Sequence, residues 1–348
     1  MSFLHLHFRG RTTSPWHIGK RIYQDYHYTR DDYLWGRGIR GPVLRQLWRT
    51  YCPRSDAVDG ADFRPERDCP RCEMAEDCPF WNLRGADNDG EFKDQPRLII
   101  TNLRFRRETV HKDRVVLATL SDNYRGVVRG KAPVYIECIG EGAEFDFEAI
   151  LMGRGADFEG EFRTAVEVSL RFFGWGGFCN EGFGRGEITD VRRRGFNTFE
   201  HDLIDPLAEY VGERSGEGAS LRFFVEPMLI LDRDGGGVYR SILEEGFYGK
   251  FCNCLNERFW QFYRDHIYLQ NYISELSGRA RTVRMRAWSR KLRREYIFEG
   301  VGRELILHFG ERLGEGEARA LALARYGVGR FKNQGFGALT PEGWRCNP

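Results

Sequence analysis

The sequence predicts an α+β fold built twice along the chain, with a cysteine-rich insertion in the first copy. Three observations predict it. The same order of strand-like and helix-like segments runs through both halves. A glycine loop occurs near the C-terminus as Tyr326-Gly-Val-Gly-Arg-Phe-Lys-Asn-Gln-Gly-Phe-Gly337, and in worn form as Gly176-Gly-Phe-Cys-Asn-Glu-Gly-Phe-Gly-Arg-Gly186. Glycine supplies positive φ and lets the backbone approach another group closely, so a repeated glycine pattern marks a repeated backbone path. Finally, a polar excursion carrying four cysteines, about 52–94, interrupts the first copy.

The elements follow in order. Phe3-Leu-His-Leu-His-Phe8 alternates like a half-buried strand. Ile39, Val43, Leu44, Leu47 and Trp48 recur at helical spacing with Pro42 in the first turn, which predicts a helix over 38–51. Strand-like runs resume at 98–103, 134–138 and 145–151. Phe158, Phe162, Ala165, Val166 and Leu170 then form a second helical face that ends at the first glycine loop. This is a βαββαβ outline with a long insertion. The polar segment 212–218 reads as a linker, dividing the chain into domains 1–212 and 213–348. The second half opens with a strand pair or bent strand at 221–231. Leu243, Phe247, Phe251, Leu255, Phe259 and Tyr263 predict a long helix, followed by a basic extended stretch and a strand at 296–307. A helix near 315–326 leads into the second glycine loop. The repeated order predicts two tandem ferredoxin-like, RRM-like domains.

With 348 residues, each domain is long enough to bury its own core. The 53 basic residues are nearly balanced by 51 acidic ones, so a nucleic-acid surface has to come from local clustering. The densest cluster is Arg279, Arg281, Arg284, Arg286, Arg290, Lys291, Arg293 and Arg294, with Trp288 as a stacking surface. It reads as an RNA groove, with a solvated charged edge as the plain alternative. In the C-terminal loop, Gly327 and Gly329 permit a tight turn, Arg330 and Lys332 reach phosphates, and Asn333 suits a base edge. The same loop could instead simply hold the fold together. The mid-chain copy has only Arg185 as a nearby cation and reads as mainly architectural. No signal peptide and no bilayer-length apolar run is present, so a soluble, cytoplasmic chain without membrane contact is expected.

Nine cysteines is an odd number, and four fall at Cys52, Cys69, Cys72 and Cys78. In a reducing compartment such crowding favours metal over disulfides. Cys69-Pro-Arg-Cys72 is a knuckle whose sulfurs can share one tetrahedral ion, with Cys52 and Cys78 completing the shell. Structural zinc is the favoured ion and an iron–sulfur cluster the alternative. Four thiolates leave no open position for water, which argues against a catalytic metal.

Together these features resemble the CRISPR-associated RAMP endoribonucleases of the sixth Cas family, over nearly the whole chain. Gly36-Arg-Gly-Ile-Arg-Gly41, followed by Val43-Leu-Arg-Gln-Leu-Trp48, is similar to the family's glycine-arginine entry into its first helix, which places Arg37 and Arg40 at the RNA. The cysteine insertion, the Phe-x-x-Pro-like strand at 221–231 and the basic Trp288-Ser-Arg-Lys-Leu-Arg-Arg294 occupy the places where one branch carries similar features. The segment Gly327–Gly337 resembles the RAMP glycine signature.

The resemblance implies binding of CRISPR repeat RNA and metal-independent cleavage. The 2′-OH attacks the adjacent phosphate, leaving a 2′,3′-cyclic phosphate and a 5′-OH. Such chemistry needs a base, an acid and a cation at the phosphorane. The family's histidine lies in or near the first helix, and this chain has none over 38–51. The catalytic candidates are His27 with Tyr26, since Tyr26, Tyr28 and Arg30 flank it and one loop could supply acid–base, hydroxyl and cationic groups, and His17, with Lys20 and Arg21 close by. His5 and His7 read as one face of a packed strand; His201, His266 and His308 lack a supporting motif. Two other readings remain open: a non-catalytic RAMP subunit that holds crRNA among other Cas subunits in a type III or type IV effector, and a zinc- or redox-dependent RNA-binding regulator.

Overall fold

The computed structural model describes residues 2–23, 26–53, 65–84, 86–87, 95–117, 133–279, 281–289 and 294–344. The chain divides into two compact units, Met1–Arg193 and Arg194–Pro348.

The first unit opens with β1 (Phe3–Thr12), which sends Leu4, Leu6 and Phe8 into the core. β2 (Gly19–Tyr23), β3 (Tyr26–Thr29) and β4 (Tyr33–Leu34) lead into α1 (Gly36–Tyr51). That helix buries Ile39, Val43, Leu44 and Leu47, the stripe read from spacing. The insertion supplies α2 (Pro65–Asp68), α3 (Pro79–Arg84) and the short pair β5 (Ala86–Asp87) and β6 (Gln95–Pro96). The chain continues through β7 (Leu98–Ile100), β8 (Leu103–Phe105), β9 (Lys112–Leu117), β10 (Val134–Ile139) and β11 (Glu144–Met152). It closes with α4 (Glu159–Val168) and β12 (Gly186–Arg194).

The main sheet runs β12-β1-β11-β8-β4, with β7 also on β11. Counting β1, β7–β8, β11 and β12 as the core strands, the last lies beside the first, the first beside the third and the third beside the second. That is the ferredoxin-like arrangement, and β1 runs antiparallel to β11 from Phe3↔Met152 to Arg11↔Glu144. Phe8 stacks on Phe147 at 4.7 Å and meets Phe162 of α4 edge-on at 6.1 Å, which ties sheet to helix. The strand expected at 134–138 forms as β10 but leaves this sheet, because both edges of β11 are already occupied. It joins a separate four-stranded sheet, β2-β3-β10-β9.

The second unit begins earlier than the expected boundary after residue 212. α5 (Phe196–Phe199) and α6 (Asp205–Glu213) belong to it. The reason is packing: Arg319 of α8 (Glu315–Leu323) pairs with Asp205 at 3.0 Å and with Glu200 at 3.7 Å. β13 (Ser220–Leu229) is one strand with a register shift between Val225 and Leu229. α7 (Phe247–Tyr263) starts after Gly246, which turns the chain at φ 83, and Leu243 stays outside the helix at 86% exposure. β14 (Ile273–Ser277) follows, and the basic stretch becomes β15 (Arg281–Ser289), paired antiparallel with β16 (Arg294–Phe309). With β17 (Ala338–Pro341) the order is β14-β16-β13-β17, the same arrangement as in the first unit. Among the described residues no helix is long and apolar enough to cross a membrane.

Candidate functional site

The two glycine loops share one backbone path. Aligned from Gly174 and Gly327, seven of eleven residues are identical. Positive φ falls at five matching positions: Gly174, Gly176, Phe178, Gly182 and Gly184 in one copy, Gly327, Gly329, Phe331, Gly335 and Gly337 in the other. The Trp175 amide donates to the Gly184 carbonyl at 2.9 Å, and the Val328 amide to that of Gly337 at 3.0 Å. A β-carbon on Gly184 would stand 2.1 Å from the Trp175 oxygen, and one on Gly337 2.1 Å from the Val328 oxygen. No other residue fits there. Each loop also grips the first strand region of its own unit. Gly177 and Gly184 donate to the carbonyls of His17 and Pro15, both at 2.8 Å; Arg330 and Gly337 donate to those of Ile230 and Met228 at 2.8 and 2.9 Å.

The mid-chain copy is thus bound to a candidate histidine, although it carries few cations of its own. His17 lies where the second unit has Ile230. Its Nδ1 is 2.9 Å from the Glu137 carbonyl. A carbonyl only accepts, so Nδ1 carries the proton and Nε2 holds the lone pair of the neutral ring. Burial lowers its pKa, opposed by the bond to the Glu137 carbonyl and by the Glu137 charge. The His27 ring centroid lies 6.0 Å away. Phe178, held at φ 57, places its ring 5.1 Å from His17 and 5.3 Å from His27. A left-handed phenylalanine costs on the order of 1–2 kcal/mol, and packing both imidazoles offsets it.

The segment around His27 is a strand, which corrects the expected single loop offering histidine and tyrosine hydroxyl together. Successive side chains in a strand point to opposite faces. His27 therefore faces Phe178 and His17, whereas Tyr26 and Tyr28 face the other way, with ring centroids 4.4 Å apart. The Tyr26 hydroxyl accepts from Arg114 Nε at 3.2 Å and is removed from the histidine pair.

In the second loop the glycines serve close packing: β-carbons at Gly327 and Gly329 would stand 2.4 Å from the Phe336 and Ile230 carbonyl oxygens. Beneath it lies Arg258 of α7, fully buried, which sequence reading missed because its stripe position in a helix carries no motif. Its Nε donates to the Gly327 carbonyl at 2.7 Å and a terminal nitrogen to that of Tyr326 at 2.8 Å. The other terminal nitrogen reaches Gln261 at 3.1 Å and Asn333 at 3.4 Å. Burial pulls its pKa down to about 9. Asn333 is thereby engaged inside its own unit. Lys332 departs from the expectation that it extends toward phosphate: its side chain is 13% exposed and its ammonium pairs with Glu257 at 3.3 Å. Burial, then the nearby Arg258 charge, lowers its pKa. Arg330 is half exposed, pairs with the equally exposed Asp232 at 3.3 Å and lies 5.0 Å from the Phe331 ring; the ion pair is a weak surface one. Phe331 packs on Phe298 and Phe336, at 5.3 and 5.8 Å.

The remaining expected RNA contacts divide. Arg40 turns inward and donates to the Arg84 carbonyl at 3.0 Å, with its pKa lowered to about 10 by burial and by Arg84 and Arg37. Arg37 is half-buried in the first turn of α1. Arg284 is exposed, but it pairs across the β15–β16 ladder with Glu299 at 2.6 Å. Backbone register sets Arg286 opposite Ile297, Trp288 opposite Glu295 and Ser289 opposite Arg294. Arg290, Lys291 and Arg293 lie outside the described residues. His5 is fully buried and its Nε2 is 2.9 Å from Glu148; His7 stands 3.5 Å from Asp146.

Cys52, Cys69, Cys72 and Cys78 line one cavity of about 20 Å³, walled by Phe80 and Trp81. The Cys69 thiol is pushed up to about 12 by burial and by neighbouring Cys78 and Cys52, so the thiols sense one another. In number and chemistry this donor set fits a tetrahedral thiolate ion, whose charge would reverse those shifts. Among the described residues no three His, Cys, Asp or Glu side chains already stand in ligating positions.

No protein-family model matches the chain, and no curated protein matches it. Among solved structures it is similar to a Cas6 product complex, at 14% identity and a TM-score of 0.41 over 98% of this chain and 100% of that one. Cas6 of Thermus thermophilus is similar at 11% identity and 0.39, over 98% of each chain. A chain in the type III-B Cmr-beta complex bound to cognate target RNA is similar at 12% identity and 0.35; 55% of this chain is covered and 61% of that one, so this chain spans about three fifths of its length.

Two outcomes follow from the site. Arg258→Met should cost the second unit roughly 2–4 kcal/mol in urea unfolding, because two buried carbonyls lose their donors; Arg258→Lys should rescue little, since one ammonium cannot replace the fork. For His17 the folded pKa lies below the ordinary 6.5, so its contribution is full above that value and is lost as pH falls below it. First-unit stability should decline on acidification from about pH 7 by at most roughly 1.4 kcal/mol per pH unit, and His17→Gln should flatten the decline.

Proposed function

We propose that this protein binds CRISPR repeat RNA and cleaves it through the paired histidines under the first glycine loop. The observation that carries the reading is the placement of His27 6.0 Å from His17, both against Phe178. Cleavage needs one group to take the 2′-hydroxyl proton as that oxygen attacks phosphorus, and another to protonate the departing 5′-oxygen. The products are a 2′,3′-cyclic phosphate and a 5′-OH. His27, half-buried, is the catalytic group of the pair, and His17, neutral with its lone pair on Nε2, is the second. Lys20, exposed on the strand beside His27, supplies positive charge for the phosphorane. The ordered motifs from 36–48 to 327–337 support the choice of RNA.

A second reading, a non-catalytic subunit that holds crRNA, is favoured by one observation: His17 is only 5% exposed. Incubating the protein in EDTA with end-labelled repeat RNA separates the two. Discrete cuts ending in cyclic phosphate are expected, and intact RNA bound at the same affinity would establish the scaffold reading instead. His27→Ala should slow cleavage about 10²- to 10⁴-fold while binding persists; if His17→Ala alone does so, the roles are exchanged.

Cys52, Cys69, Cys72 and Cys78 are proposed to hold a structural zinc ion that ties the insertion together without touching the reaction. Metal analysis should give about one zinc per chain, and Cys72→Ser should lower both zinc content and melting temperature. Iron and sulfide with visible absorption would replace zinc by a cluster.

A further inference from the structure

The small sheet β2-β3-β10-β9 has two unlike faces. One is a core: Val134, Ile136 and Cys138 are buried to 3, 0 and 0% exposure and pack with Phe183 of the glycine loop. The histidine pair lies on this side. The other face carries tyrosines and arginines, with Tyr26 and Tyr28 half-buried and Arg21 and Arg114 exposed. Tyr26 lies 4.4 Å from Tyr28 and, nearly parallel at 15°, 6.4 Å from Tyr135. Arg21 sits over the Tyr28 ring at 4.3 Å and Arg114 over that of Tyr26 at 5.0 Å. Tyr135 is 37% exposed, Val116 beside it 50% and Tyr23 65%.

We propose that this outer face is a stacking platform for a single-stranded RNA segment, distinct from the cleavage chemistry on the opposite face. The proposal rests on the reading of the chain as an RNA-binding protein. Three things favour this occupant. Every base presents a π-face, so a row of aromatic rings on a sheet takes unpaired bases irrespective of sequence. The flanking guanidinium groups match phosphates in charge, and an exposed cation–π contact is weaker than a base stack, so Arg21 and Arg114 can yield their rings to bases and turn to the backbone. Moreover, the sheet already has a buried face, so the outer tyrosines are not needed as its core.

The test uses the full-length protein and two fluorescein-labelled probes at fixed salt, an oligoadenylate of about 12 nucleotides and a blunt RNA duplex of the same length. Tyr28→Leu and Tyr135→Leu should each weaken oligoadenylate binding roughly 5- to 150-fold, leave duplex binding unchanged, and be rescued by Phe at the same position. Arg114→Gln should lower the salt dependence by about one phosphate contact. Leucine variants that bind oligoadenylate like wild type would overturn the platform and leave the RNA-binding reading standing. Parallel loss of both affinities with a lower melting temperature would make the tyrosines structural and also overturn it. Wild-type protein that binds neither probe, nor repeat RNA, would remove the RNA-binding reading and the platform together.

Discussion

Both units depend on one backbone device, a loop that reaches positive φ at five places and clamps the carbonyls of its own first strand region. The clamp works only without β-carbons, as the 2.1 Å clearances at Gly184 and Gly337 show. Its amides reach Pro15 and His17 in one unit, Met228 and Ile230 in the other. Because the loop follows the second helix and precedes the last strand, it sets how that strand enters the sheet.

The same device has been put to different uses. In the first unit the clamped position holds His17, and the loop contributes Phe178 as a wall against which both imidazoles pack. In the second the clamped position is Ile230, and the loop is held from below by Arg258 through two carbonyls. Substituting Arg330 for Gly177 and Lys332 for Cys179 gives the second copy its cations. Burial then withdraws Lys332 from solvent, leaving Arg330 as the more accessible charge. The copy rich in cations is thus the more structural one, and the copy poor in them borders the candidate chemistry.

The four-stranded sheet explains how one short segment can serve two surfaces. Strand alternation sends His27 inward and Tyr26 outward, so acid–base groups and aromatic rings are separated by one backbone thickness. The cysteine insertion follows a different logic: Phe80 and Leu83 pack into the core of the first unit, while its four thiols gather on one small cavity.

Much of this was legible in the residues alone. Helical spacing marked Ile39 to Leu47 as the buried stripe of α1, alternation marked β1 and β11, and the glycine pattern announced the duplicated turn, because each depends on local periodicity or on φ. Tertiary structure decided the rest. Which sheet β10 joins depends on which edges of β11 are free, and the unit boundary at 193–194 on the packing of buried Phe199 against Phe262 and Tyr326 together with the Arg319–Asp205 pair. The burial of Arg258 and Lys332 depends on a loop far along the chain folding over α7. Sequence determined that His17 and His27 were the candidates; only the fold brought their rings together and turned Tyr26 away, because distance between residues ten apart is set by strand pairing and not by spacing.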